Sequence, residues 1–178
     1  MRRINLGNKL FALIDNEDFE LVGQFTWYAS YDIRRKDYYV VCSKLRTKLH
    51  RFLMKAKHGQ AIDHVNGDPL DNRRCNLRFC TTSQNHMNRS KTKRQCLSMF
   101  KGVSRHKLNN NRWIAHIGFN KKSIHLGYFD SEIDAARAYD KKAIELFKNF
   151  AKLNFSCCWT CNEPMILTNK GWSCSCHR

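Results

Sequence analysis

Residues 62–85 read IDHVNGDPLDNRRCNLRFCTTSQN. Polar groups crowd this stretch: the Asp63-His64 pair, the turn at Gly67, and a series of Asn and Arg residues. Its apolar anchors (Ile62, Val65, Leu70, Leu77, Phe79) have no helical period long enough for a core helix. Residues 62–80 therefore read as a strand, a turn or Ω-shaped loop, and a second strand. Gly67 permits the sharp turn. TTSQNHMNR (81–89) begins with Thr and Ser as N-cap candidates and continues as a helix. Successive strand residues point to opposite faces, so Asp63 and His64 share a site only if the strand ends or bulges there.

The ordered set Asp63-His64, Asn66-Gly67-Asp68, Leu70-Asp71-Asn72-Arg73, Asn76-Leu77-Arg78 and Gln84-Asn85, with Leu49-His50-Arg51 upstream, resembles the HNH endonucleases. The closer likeness is to the phage and intron-borne homing branch, in which Asn replaces the final His. The resemblance covers roughly residues 45–90. Phosphodiester hydrolysis needs an activated water, a Lewis acid on the phosphate, and help for the leaving oxygen. His64 is suited to take the proton from water. Asp63 and Asn85 offer hard oxygen ligands for Mg²⁺ or Mn²⁺. The resemblance gives Asn76 the role of holding the loop and orienting the His64 ring, and it favours Asn85 over the rival ligand His86. Taken singly, Asp63 reads as a turn residue, Asn76 as a cap and His64 as a structural histidine; jointly they read as catalysis. His50 and His58 are expected behind the reacting groups or at the surface. Asp68 and Asp71 are expected as turn residues, and Arg73 and Arg78 as phosphate or loop-bracing groups.

The chain has 178 residues and a net charge of +17. A surplus of that size favours a polyanion, because Lys and Arg release counterions from phosphates. Lysines and arginines recur beside aromatics along the chain, which points to nucleic acid. No apolar run approaches the eighteen or so residues needed to span a bilayer, so no membrane partner is expected. The opening MRRINLGNKL has no apolar signal core, which predicts a cytoplasmic protein, in a bacterial host cell if phage-encoded. Disulfides are then disfavoured. Of the nine cysteines, Cys42, Cys75, Cys80 and Cys96 are scattered and read as ordinary thiols.

Upstream, LFALID, FTWYAS and DYYVVCSKL predict a small antiparallel sheet over residues 1–49, and LHRFLMKA (49–56) a short helix. Residues 87–99 are polar and basic and read as an extended linker. Its Arg89, Lys91, Lys93 and Arg94 are positioned to follow a phosphate backbone or enter a minor groove. FKGVSRHK, NRWIAHIGFN and KSIHLGYFD then predict three strands, and SEIDAARAYDKKAIELFKNFA (131–151) a helix capped by Ser131. Trp113, Ala115, Ile117 and Phe119 form one face of the middle strand, and Ile114, His116 and Gly118 the other.

Lys101-Gly102-Val103, Trp113-Ile114-Ala115, Leu126-Gly127-Tyr128-Phe129, the 135–140 run AARAYD and Leu153-Asn154-Phe155 resemble the DNA-binding domain of plant ethylene-response factors, the Apetala-two type. That resemblance implies a sheet lying in the major groove. By position it implies contacts from Lys101, Ser104, His106, His116, Ser123 and His125. Arg105, Arg112, Lys121 and Lys122 join them on charge. The plant pattern carries Arg or Trp where this chain has Ser104, Ser123 and His125, so base preference does not transfer. Trp113 and Phe129 are expected in the core, and the 135–140 segment is expected to pack as helix, with a phosphate contact by Tyr139 as the alternative.

In residues 156–178, CWTC (158–161) and CSCH (174–177) have the spacing of a zinc ribbon or knuckle joined by a hairpin. The expected Zn²⁺ ligands are Cys158, Cys161, Cys174 and His177. Cys176 is an alternative fourth ligand, and Cys157 an alternative in the first pair. A segment this short needs metal for stability.

The reading is an α+β protein in four parts. These are a sheet and ββα-metal HNH nuclease domain (1–90), a basic linker (91–99), a three-stranded sheet packed on one helix (100–155), and a zinc-ribbon-like tail (156–178). The expected function is site-selective cleavage of duplex DNA, by a monomer on DNA. Its rivals are a non-catalytic DNA-binding regulator with a dead HNH scaffold, and an RNA-binding or RNA-cutting protein.

Overall fold

The computed structural model describes residues 1–91, 97–108 and 111–155, together with the backbone of 166–168 and 171–173. The chain divides into two compact units, Met1–Asn88 and Arg89–Arg178.

The first unit opens with a hairpin of β1 (Arg2–Asn5) and β2 (Phe11–Ile14), followed by α1 (Phe19–Gly23). Strands β3 (Tyr28–Asp32), β4 (Asp37–Cys42) and β5 (Thr47–Lys48) form an antiparallel sheet in that order. The single N-terminal sheet expected from sequence is thus two sheets separated by a helix. Of FTWYAS, Tyr28, Ala29 and Ser30 enter β3 as expected, while Trp27 stays outside it. Trp27 turns inward, donates Nε1 to the Val22 carbonyl at 2.9 Å, and sets its ring 5.5 Å from Phe52. Its aromatic character serves a core, not a strand.

Helix α2 (Leu49–Leu53) buries Leu49, His50 and Leu53, and Lys55 in a left-handed conformation (φ 49°) follows it. The helix is therefore shorter than the expected 49–56. The central motif forms β6 (Ala61–His64), a loop, β7 (Leu77–Cys80) and α3 (Thr82–Met87). Strand β6 pairs antiparallel with β7, with Asp63 opposite Arg78 and His64 opposite Leu77. Thr81 caps α3 by accepting from the Gln84 amide while the Gln84 side chain accepts from the Thr81 amide, the reciprocal capping box. The unit's core joins Ile14, Val22, Val40, Leu49, Leu53, Ile62 and Leu77.

In the second unit, β8 (Val103–Arg105), β9 (Trp113–Phe119) and β10 (Lys122–Phe129) form an antiparallel sheet in the order β10-β9-β8. Asn120 and Lys121, both with positive φ (49° and 63°), make the two-residue β9–β10 turn, the backbone that hairpin twist favours. Helix α4 (Glu132–Phe147) starts at Ser131, whose hydroxyl accepts from the Asp134 amide. It packs on the sheet through Ala135, Ala136, Ala143 and Phe147. Ala115 and Ile117 are buried while His116 and Gly118 are exposed, so one sheet face meets the helix and the other is free of it. The Asp140 carboxylate accepts from the amides of Asn154 and Phe155, and Asn154 bonds the backbone of Lys101 in both directions. This latch ties the segment after the helix to the start of the sheet.

Tyr139 does not reach the surface. It is 2 % exposed, and its ring lies where a Cβ on Gly102 (φ +74°) would stand. This agrees with the packing role expected of the 135–140 segment and removes the alternative that Tyr139 touches phosphate. In the tail, β11 (Ile166–Thr168) pairs antiparallel with β12 (Gly171–Ser173). Cys157, Cys158, Cys161, Cys174, Cys176 and His177 lie outside the described residues, as do Lys93, Arg94 and Cys96. Among the described residues, no helix is long and apolar enough to cross a membrane.

Candidate active site

Strand β6 ends at His64, which frees Asp63 and His64 from strict alternation. Gly67 (φ +83°) returns its amide to the His64 carbonyl at 2.9 Å, and Val65 donates to the Asn76 carbonyl at 2.9 Å. Inside the loop, Asn76 Nδ2 donates to Asn66 Oδ1 and the Asp71 carbonyl, and Asn76 Oδ1 accepts from the Asn66 amide. Asn76 thus braces the loop, and none of these bonds goes to the His64 ring. Asp71 is more than a turn residue: it is buried, takes two bonds from Arg73, and accepts from Asn66 Nδ2. The Arg73 guanidinium holds its carboxyl below the usual carboxylate range. Asp68 is a turn residue, accepting from the Leu70 amide.

The N-terminal hairpin straps this loop from outside. Leu13 donates to the Leu70 carbonyl and accepts from the Asn72 amide. Asp15 accepts from the Arg74 amide, and Arg74 reaches Asp18 at 2.6 Å. Asp18 is nearly fully buried, where a carboxylate requires such a partner.

Arg78 Nε and Nη2 both converge on Asp63 Oδ2, at 3.0 and 2.7 Å. Asn88 Nδ2 reaches both Asp63 oxygens and the His64 carbonyl, at 2.8 to 3.2 Å. Sequence reasoning missed Asn88; the available signal was its position three residues beyond Asn85, on the same helical face.

His64 is 7 % exposed. Among the described residues, neither its buried Nε2 nor the buried Asn72 Oδ1 has a partner in hydrogen-bond geometry, although the Asn72 side chain is near enough to act on the charge of the ring. Burial lowers the His64 pKa, while the Asn72 side chain and the carboxylates Asp63, Asp68 and Asp71 oppose that shift. A buried polar atom without a partner calls for an explanation, and a base awaiting a water or substrate proton supplies one. His50, expected behind the site or at the surface, is buried with its ring 5.1 Å from that of His64. Burial lowers its pKa to about 3, with His64, Lys48, Arg51 and Arg35 adding to the effect. His58 and His86 are exposed.

Asn85 stands on α3, which packs against β6 and β7. Its side chain is half-buried and has no hydrogen bond among the described residues. No three His, Cys, Asp or Glu side chains among the described residues cluster as a metal site. The oxygen donors of Asp63 and Asn85 are nevertheless of the kind that suits a hard cation. Among the described residues, Asp63 Oδ1 accepts a single long bond, 3.2 Å from Asn88. Two protein oxygens completed by water and substrate oxygens suit Mg²⁺-like ions better than thiophilic ones.

In the second unit, pairing of His125 with His116, Ser123 with Gly118 and Ser104 with Ile114 places Ser104, His116, Ser123 and His125 on the sheet face away from α4. Tyr128 is half-exposed there, its ring 4.7 Å from His125 and 5.3 Å from His106, with the Arg112 guanidinium 5.7 Å away. Arg112 also pairs with Asp130 at 3.3 Å. Lys121 and Lys122 are exposed at the β9–β10 turn, and Arg105 lies over Trp113 at 5.1 Å. Arg89 is exposed. Two expected contacts, Lys91 and Lys101, are half-buried. Lys91 donates to the carbonyls of Phe100 and Val103 at 2.8 Å each. Lys101 is half-buried, its pKa lowered to about 8 by burial and by Lys152, against the pull of Asp140.

Residues 47–87 match the family described as HNH endonuclease, which suggests a nuclease acting on DNA. The chain is 28 % identical over 154 residues to the "Uncharacterized HNH endonuclease L560" of Acanthamoeba polyphaga mimivirus, covering 83 % of this chain and 76 % of that protein. Over 60 residues, 33 % of this chain, it is 48 % identical to the "APETALA2-like protein 2" of Oryza sativa subsp. indica. A 61-residue stretch is 43 % identical to the "Ethylene-responsive transcription factor WRI1" of Arabidopsis thaliana. These matches span only 13 % and 14 % of the plant proteins.

Proposed function

We propose that this protein is a site-selective DNA endonuclease of the homing type, cutting with the first unit and positioned by the second. One observation carries the reading: His64 presents a buried, partnerless Nε2 at the end of β6, beside the Asp63 carboxylate. His64 takes the proton from the attacking water. Asp63 and Asn85 hold a Mg²⁺ or Mn²⁺ ion. The bound cation supplies Lewis acidity at the phosphate and the departing 3′ oxygen. Asn76 keeps the loop closed, and Arg78 and Asn88 fix the Asp63 carboxylate so that Oδ1 faces its ligand role.

The exposed sheet face of Ser104, His106, His116, Ser123, His125 and Arg112, with Lys121 and Lys122 at its turn, lies against duplex DNA. Support comes from its position on the face away from α4, with no helix over it among the described residues, and from the partial similarity to the plant proteins. Cys158, Cys161, Cys174 and His177, with Cys176 as alternative, hold a structural Zn²⁺ around the β11–β12 pair; zinc analysis before and after chelation tests this.

Mapping cuts on a duplex DNA library with Mg²⁺ or Mn²⁺, with RNA as competitor, tests the whole reading. The expected result is cation-dependent cutting at preferred sites, leaving 5′-phosphate and 3′-hydroxyl ends. Absence of cation-dependent cutting, or equal cutting of RNA, contradicts it.

A further inference from the structure

Asn76 uses its side chain within the loop, so the orientation of the His64 ring depends on other groups. One is His50, whose ring meets that of His64 edge-on, centroids 5.1 Å apart and planes at 84°, an arrangement aromatic rings prefer. His50 is 8 % exposed and stands on α2 with Leu49 and Leu53, which are fully buried. Behind it lies Tyr39, at 6.2 Å. The next residue, Arg51, donates to the carbonyls of Lys57 and Gln60, fixing the segment that leads into β6. One short helix therefore holds both a wall for the His64 ring and the start of the strand that carries it.

We propose that His50 is a positioning residue for His64: its ring confines the His64 imidazole to one orientation for proton transfer and exchanges no proton itself. The inference rests on the reading of His64 as the base. Burial keeps His50 uncharged (its pKa lies near 3), so it packs as a neutral surface wherever His64 works. A cation at this position would oppose formation of the His64 imidazolium.

The test compares full-length wild type, His50→Ala and His50→Phe. Three quantities are measured: affinity for uncut duplex DNA, the single-turnover cleavage rate with Mg²⁺, and the His64 ring signals in long-range ¹⁵N–¹H spectra of cation-free protein. His50→Ala is expected to slow cleavage by about 10- to 100-fold, as small misplacements do, with DNA affinity unchanged and the His64 signals shifted or split. His50→Phe is expected to restore a single set of signals and most of the rate. Unchanged rate and spectra in His50→Ala overturn the proposal. So does a folded His50→Phe no faster than His50→Ala, because a nitrogen of His50 would then be doing the chemistry. If His50→Ala does not fold, His50→Phe is judged against wild type: most of the wild-type rate with a single set of His64 signals supports the proposal, and a folded His50→Phe that loses most of the rate overturns it. A wild type that cuts no DNA refutes the cleavage reading, while the spectra still test the ring contact.

Discussion

Asp63 and Arg78 face each other across β6 and β7, and two guanidinium bonds converge on a single carboxylate oxygen, Oδ2. The pair is largely buried, with side-chain exposures of 17 % for Arg78 and 7 % for Asp63. Removing one partner of such a pair leaves an uncompensated charge, a loss of about 3–5 kcal/mol in general. Asn88 remains as a partner here, so Arg78→Ala is expected to lower stability in urea by about 2–4 kcal/mol. A loss below about 0.5 kcal/mol, the range of ordinary surface substitutions, would show that Asn88 alone supports the carboxylate.

Acid should destabilise the first unit from the histidine side. His50 has a folded pKa of about 3, well below its ordinary value of 6.5. Between these values the unfolded chain binds a proton that the folded chain does not. Stability from this group is complete above about pH 6.5 and falls as pH drops toward 3, by up to about 1.4 kcal/mol per pH unit. His64, also lowered by burial, acts in the same direction. Urea melts at pH 7 and pH 5 should differ accordingly, and His50→Phe should flatten the slope. An identical slope in the variant would contradict a neutral buried His50.

Gly102 is a test of the second unit alone. It holds a φ of +74°, and an added Cβ would overlap the Tyr139 ring and stand 2.6 Å from the His116 carbonyl oxygen. Tyr139 is buried and cannot swing aside. Gly102→Ala is expected to cost about 3 kcal/mol or more. It should abolish the protection of α4 amides in hydrogen exchange while those of β6 and β7 keep theirs. Equal protection in both units of the variant would contradict this account of Gly102.

His116 is exposed, but partial desolvation of the ring, with Lys91 and His125, lowers its pKa, and a phosphate beside it would favour the charged ring. Binding should then take up protons. DNA affinity is expected to rise as pH falls from about 7.5 to 6, by up to about tenfold per pH unit for one proton. His116→Gln should reduce that dependence at fixed salt. Fluorescence anisotropy showing equal pH slopes for both proteins would remove His116 from the interface.

The sequence made the frame of the site readable. Gly67, the paired strands and the Thr81 cap are local signals, and each element stands within a few residues of its expected place. The braces were not readable. Arg74 meets Asp15 and Asp18 across 59 and 56 residues, and His50 meets His64 through a ring contact between separate elements. Asn88 and Asn72 lay inside or beside the motif, but nothing local distinguishes an Asn that clamps a carboxylate from one that caps a turn. In the second unit, alternation along β9 placed His116 on the open face, whereas burial of Tyr139 depended on its distant neighbour Gly102.

The central claim is that His64 is the general base of a cation-dependent DNA nuclease. The most direct measurement is nicking and linearisation of supercoiled plasmid by wild type and His64→Ala with Mg²⁺ or Mn²⁺, alongside gel-shift affinity for the same DNA. The account predicts cutting by wild type that EDTA abolishes, no detectable cutting by His64→Ala, and equal DNA affinity for both. Cutting by His64→Ala at the wild-type rate would contradict it.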